Sequence, residues 1–179
     1  WDENERWQFP VIIDNMMNLE MLEWSGYSDV ARKHADTTMK NHFRDDYSTY
    51  HVVTYNELTG EVTDKRTAQG RADESAWARG QVWGLYGYTM MYRETGKKAY
   101  LKQARAIASF LVNHPNMPKD KVPYWDYNAP DIPNAKRDAS AAAIMASALI
   151  ELSQLDPSKD AALWLSFAQE QLRSLTTDA

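Results

Sequence analysis

Three times along the chain, a run of apolar or small residues passes through a short Gly or Pro turn into a stretch with apolar positions three and four apart. The first run covers residues 11–24, from Val11-Ile12-Ile13 through Met16, Met17, Leu19, Met21 and Leu22 to Trp24, and stops at Ser25-Gly26. This spacing predicts a helix opened by Pro10, whose fixed φ suits a first helical turn. A second, more amphipathic helix is predicted over 29–43, capped by Ser28-Asp29. The second run follows a polar, small-residue segment at 69–77. It carries Leu85, Tyr86, Met90 and Met91 at helical spacing and ends at Gly96. Residues 97–113 then place Tyr100, Leu101, Ala104, Ile107, Ala108 and Leu111 on one side of a helix. The third run, 139–155, is built of small residues. Asp138 opens it, Asp156-Pro157-Ser158 breaks it, and an amphipathic stretch over 159–175 follows.

Two segments depart from this rhythm. Residues 50–55 and 61–64 are β-type and flank Asn56-Glu57-Leu58-Thr59-Gly60, which predicts a small β-hairpin insertion. Residues 115–137 form a Pro-rich aromatic loop containing Tyr124, Trp125 and Tyr127. The turns at Gly26, Gly96 and Pro157 lie 70 and 61 residues apart. Helical hairpins repeating at that period predict an all-α fold, either an α-solenoid or an (α/α) barrel. In a barrel the apolar helices form the inner ring and the amphipathic ones the outer ring. The long loops then gather at one rim, with Asp14, Asp73 and Asp138 near the starts of the inner helices.

With 179 residues, the chain is long enough for one domain, 1–179, with a sizeable core. A net charge of -5 without a long basic run argues against nucleic acid as a partner. No apolar run approaches a membrane span, and with no cysteine there is neither a disulfide nor a thiolate metal site. The chain starts at Trp1 without a Met and ends within a helical pattern at Ala179, as a piece of a longer chain would, and its location stays open. Aromatics reach 12%, with seven Trp and ten Tyr, which suits either a large aromatic core or a surface for sugars.

The candidate chemistry lies at the helix starts. Asp at such a position is a common cap that also suits the helix dipole, and capping or loop-fixing is the reading for Asp73 and Asp138. Asp14 lies beyond Pro10 and three aliphatics, so it is predicted to sit past the cap. A carboxylate pointing inward there has a raised pKa and can hold a proton near neutrality, as a catalytic acid or as a satisfied core group. Arg79 and Trp83, four apart, share a helix face. Together they can grip a planar anion and a sugar ring, or pack flat on each other between helices.

Three runs resemble the unsaturated glucuronyl hydrolases, glycoside hydrolase family 88. They are Phe9-Pro10-Val11-Ile12-Ile13-Asp14-Asn15-Met16-Met17-Asn18-Leu19, Ala78-Arg79-Gly80-Gln81-Val82-Trp83-Gly84-Leu85-Tyr86-Gly87, and Arg137-Asp138-Ala139-Ser140-Ala141. The resemblance covers almost the whole chain. It implies an (α/α)6 barrel of which three hairpins are about half, and removal of a 4,5-unsaturated uronic acid from the non-reducing end of lyase-generated oligosaccharides. The implied chemistry is hydration of the C4=C5 vinyl ether, without metal or organic cofactor. Carried over by residue, Asp14 matches the general acid and base. His51, Gln69, Arg79 and Trp83 match positions that contact the uronate, and Trp1 matches a further stacking position. A second functional Asp of the family falls upstream of Trp1, and Asp2, Asp73 and Asp126 do not replace it. The implied partner is an unsaturated uronyl oligosaccharide. A chain of this length alone is expected to be inactive, or to pair with a second copy or with the rest of the barrel. Two other readings remain: an unsaturated rhamnogalacturonyl hydrolase, and a non-catalytic helical module that binds glycan or protein.

Overall fold

The computed structural model describes residues 8–177. Its helices are α1 (Asn15–Trp24), α2 (Ser28–Asn41), α3 (Ala78–Thr95), α4 (Lys98–Val112), α5 (Ala139–Leu155) and α6 (Ala161–Thr176). The strands are β1 (Pro10–Ile12), β2 (Val52–Tyr55) and β3 (Val62–Arg66). The helices pair in sequence as α1 with α2, α3 with α4 and α5 with α6, and α3 also packs between α1 and α5. The result is an arc of three hairpins, with α1, α3 and α5 side by side as the inner row and one amphipathic helix backing each. This is the predicted all-α repeat with a small β insertion.

The core lies between the two rows. Leu85, Tyr88, Met90 and Met91 of α3 meet Tyr100, Ala104, Ile107 and Leu111 of α4, all fully buried. Burying that much apolar surface at ~25 cal/mol per Å2 is the main force holding the arc. Glycines on α3 set how closely the inner helices approach. A Cβ on Gly87 would collide with Met16 of α1, and one on Gly84 would stand 3.2 Å from the Phe43 ring. α3 ends as predicted at Gly96, whose φ of 64° is the left-handed cap conformation, with its N–H donating to the Tyr92 carbonyl at 2.8 Å.

Three local expectations are corrected. Pro10 opens strand β1 rather than a helix, and α1 begins only at Asn15. The run Val11-Ile12-Ile13 is β-branched, which favours a pleated strand, and a short apolar run carries no period to tell strand from helix. The insertion is therefore a three-stranded antiparallel sheet of order β1-β2-β3, not a lone hairpin. On α2, Ser28 is the first helical residue, Tyr27 holds the cap position, and no side chain caps that end. At the two ends of the arc apolar side chains face outward, notably Met21 and Trp24 on α1 and Leu163 and Leu165 on α6.

Candidate active site

Strand pairing brings the first two functional residues together. Ile12 pairs with Val52, and the Ile13 N–H donates to the His51 carbonyl at 2.9 Å. The next residue is Asp14. It occupies the cap position of α1, not one past it as the sequence predicts, yet its carboxylate makes no capping hydrogen bond. Its Oδ2 is buried and accepts no hydrogen bond, and lies 3.8 Å from Nε2 of His51. Burial holds the Asp14 pKa above the ordinary carboxylate value, against the opposing pull of a backbone hydrogen bond and of the Arg79 charge.

His51 is buried rather than lying on a strand surface. Its Nδ1 accepts from the backbone N–H of Ala68 at 3.0 Å and of Gln69 at 3.2 Å. Two donors on Nδ1 place the ring proton of the neutral imidazole on Nε2, the nitrogen facing Asp14. Burial, and then Arg79, pull the His51 pKa down to about 4, so the ring is neutral near pH 7.

The segment before α3 is a loop tied to itself and to the loop that follows α4. Asp73 accepts from the Thr67 N–H at 2.8 Å, and Gly70 donates to the Thr67 hydroxyl at 2.7 Å. Buried Asp126 accepts from the Arg71 N–H at 2.9 Å and the Ser75 hydroxyl at 2.6 Å. Asp73 and Asp126 thus fix loops. Gly70 has no room for a side chain, since a Cβ would stand 2.6 Å from the Thr67 hydroxyl oxygen. These bonds hold Gln69 beside Arg79 in the first turn of α3. Arg79 donates from Nη1 to Asp138 Oδ2 at 2.6 Å and from Nη2 to Gln69 Oε1 at 3.3 Å. Its guanidinium lies 4.9 Å from the centre of the Trp77 ring, and that ring is 4.4 Å from the His51 ring.

Asp14, His51, Gln69 and Arg79 therefore converge at one end of the inner row. Trp83 lies one turn further along α3, half-buried and edge-on to Tyr86 with ring centres 6.0 Å apart. It lines a cavity of about 380 Å3 between the inner helices, with Met17 of α1 and Ala143, Ile144 and Ser147 of α5. The expectation of an Arg79–Trp83 pair needs one change: Trp77 lies under the guanidinium. Trp1 lies outside the described residues. A separate cleft of about 340 Å3, bounded by α2 and the sheet and lined by Lys33, His34 and Tyr55, holds none of the cluster.

Sequence reasoning misses two residues. Trp77 precedes α3 in an extended conformation, where helical spacing predicts no partner. Asp138 is the cap that the sequence predicts, with Oδ1 accepting from the Ala141 N–H at 2.9 Å, but its other oxygen holds Arg79. Among the described residues no group of three His, Asp or Glu is placed to hold a metal ion, and no helix is long and apolar enough to cross a membrane.

Asp14, His51 and Arg79 can together present a proton and hydrogen-bond donors, and Trp83 offers a flat apolar face one turn further along α3, in a cavity that none of those three lines. No family model matches the chain. A curated unsaturated glucuronyl hydrolase from Formosa agariphila is 51% identical over an alignment of 187 residues that takes in all of this chain and 46% of the relative. A crystal structure of an unsaturated glucuronyl hydrolase specific for heparin is 52% identical with a TM-score of 0.94, covering 99% of this chain and 49% of that one. A mutant of the Streptococcus agalactiae unsaturated glucuronyl hydrolase, complexed with dGlcA-GalNAc6S, is 32% identical with a TM-score of 0.78 over 92% of this chain and 45% of that one. The chain spans about half the length of the relatives it matches.

Proposed function

This chain belongs with the unsaturated glucuronyl hydrolases, and on that premise we propose that it carries much of the site of a glycosidase that removes 4,5-unsaturated uronic acid from the non-reducing end of glycosaminoglycan-type oligosaccharides. Asp14 protonates C4 of the vinyl ether, leaving positive charge shared between C5 and the ring oxygen. The Asp14 carboxylate then takes a proton from water as that water adds to C5. The resulting hemiketal opens by breaking its bond from C5 to the ring oxygen, and the group on C1 leaves as an alcohol. His51 donates from Nε2 beside the reacting carbons, Arg79 and Gln69 hold the uronate carboxylate and hydroxyls, and Trp83 takes the ring face.

One observation carries this reading. Asp14 is a half-buried carboxyl with a raised pKa, and its Oδ2 accepts no hydrogen bond although a neutral imidazole faces it. A carboxylate serving the fold would be expected to be capped or paired, as Asp73, Asp126 and Asp138 are. A proton donor for carbon needs the opposite: the proton held near neutral pH and an oxygen left available. Burial shifts the Asp14 pKa in the direction of the first, and the position at the head of α1 without a capping bond supplies the second. Arg79 acts against the raised pKa, so it also limits how basic Asp14 becomes.

The test completes this chain with the remaining segments of the Formosa agariphila relative. The chimaera is mixed with unsaturated disaccharides derived from chondroitin, from heparin and from pectin, and the ultraviolet absorbance of the conjugated double bond is followed. Loss of absorbance on the glycosaminoglycan substrates is expected. Loss on the pectin-derived substrate alone would favour rhamnogalacturonyl hydrolysis, and no loss on any would leave a binding module.

A further inference from the structure

Asp138 stands one hairpin away from the cluster it serves. Its Oδ1 accepts from the Ala141 N–H at 2.9 Å and caps α5, while its Oδ2 accepts from Arg79 Nη1 at 2.6 Å. Its own N–H donates to the Pro123 carbonyl at 2.9 Å, which ties it to the loop over residues 115–137. The two partners differ in burial: the Asp138 side chain is 4% exposed and that of Arg79 is 35% exposed. A cap needs one oxygen, and an ordinary surface ion pair is wet on both sides. Here a buried carboxylate grips one edge of the guanidinium. The other edge reaches Gln69 and faces the site, and Trp77 backs one face of the plane.

We propose that Asp138 is a positioning residue: it holds Arg79 by the Nη1 edge so that the remaining edge meets the substrate carboxylate, and it acts on binding through Arg79. This rests on the reading of Arg79 as a uronate-binding residue. The physical reason is pre-organisation. A free arginine side chain loses rotamer entropy when it clamps a ligand, and one already fixed by a charge-assisted bond does not. The carboxylate also offsets the Arg79 charge, whose field reaches both Asp14 and His51.

The test measures binding of the unsaturated chondroitin disaccharide by calorimetric titration to the chimaera carrying Asp14→Asn, which is expected to bind without turning over, with side-chain 15N spectra of the arginines alongside. Asp138→Asn retains a good cap residue, so melting temperature holds while binding weakens about tenfold. The Arg79 Nη signals, separate in the parent because rotation is hindered, merge in the variant. In an Arg79→Ala background the same substitution costs nothing further. Arg79→Lys leaves Asp138 and its cap intact, and gives a similar weakening because an ammonium has no second edge. Unchanged binding and still-separate Arg79 signals in Asp138→Asn would overturn the proposal, as would a full-sized loss in the Arg79→Ala background. A chimaera that binds no unsaturated disaccharide, while Asp138→Asn still merges the Arg79 signals, would overturn the functional reading and not the hold of Asp138 on Arg79.

Discussion

Asp14 and Arg79 divide the proposed chemistry, and each makes its own prediction. The reaction begins with a protonated Asp14, so turnover falls as pH rises through its raised pKa, which a pH–rate profile reads as the alkaline limb. Arg79 lowers that pKa, so Arg79→Ala moves the limb to higher pH while raising KM about tenfold or more. His42 and His51 set the acid stability of the fold. Unfolded histidine takes up its proton near pH 6.5, while burial holds both of these down to about 4. Between those values the unfolded chain binds more protons. Stability is therefore fully present above about pH 6.5 and falls as pH drops toward 4, by on the order of 2 kcal/mol per histidine. Denaturant melts at pH 7 and pH 4.5 measure this difference, and His42→Gln reduces it. Asp14 stands out in the sequence because a carboxylate interrupts an apolar run. Trp77 does not, because its contact with His51 joins segments distant in the chain and its contact with Arg79 depends on the extended backbone at the head of α3, neither of which helical spacing encodes.

At the scale of elements, the strand β1 does more than decorate the helices. By pairing with β2 it fixes Asp14 against His51 before α1 begins. The helix pattern is legible through six periodic stretches, and the ends of α3 and α5 fall at Gly96 and near Asp138 and Pro157 as Gly, capping Asp and Pro chemistry dictate. β1 is not legible, because three aliphatics in a row fit either a buried strand or a buried helix start. Its partner lies some forty residues away in the chain. The packing of α1 on α3 depends on Gly87, where an added methyl would meet Met16. Gly87→Ala is expected to lower stability by roughly 1–3 kcal/mol despite its better helix propensity, whereas alanine in place of exposed Ser140 should be nearly neutral. Chemical denaturation of both variants decides it.

For the whole molecule, the three hairpins form an arc whose ends expose Trp24 and Met21 on one side and Leu163 and Leu165 on the other. The repeat period announces such an arc, and the chain matches about half the length of its relatives. With the proposed site only partly carried by these hairpins, the 179-residue chain alone is expected to turn over unsaturated disaccharide far more slowly than the chimaera that completes it. The central claim is that Asp14 supplies the proton for vinyl ether hydration. It is tested most directly by comparing the chimaera with its Asp14→Asn variant on the chondroitin-derived disaccharide, following ultraviolet absorbance. The variant is expected to bind the disaccharide still but to lose about 10²–10⁴-fold in rate. A variant that bleaches the double bond at the parent rate would contradict the claim.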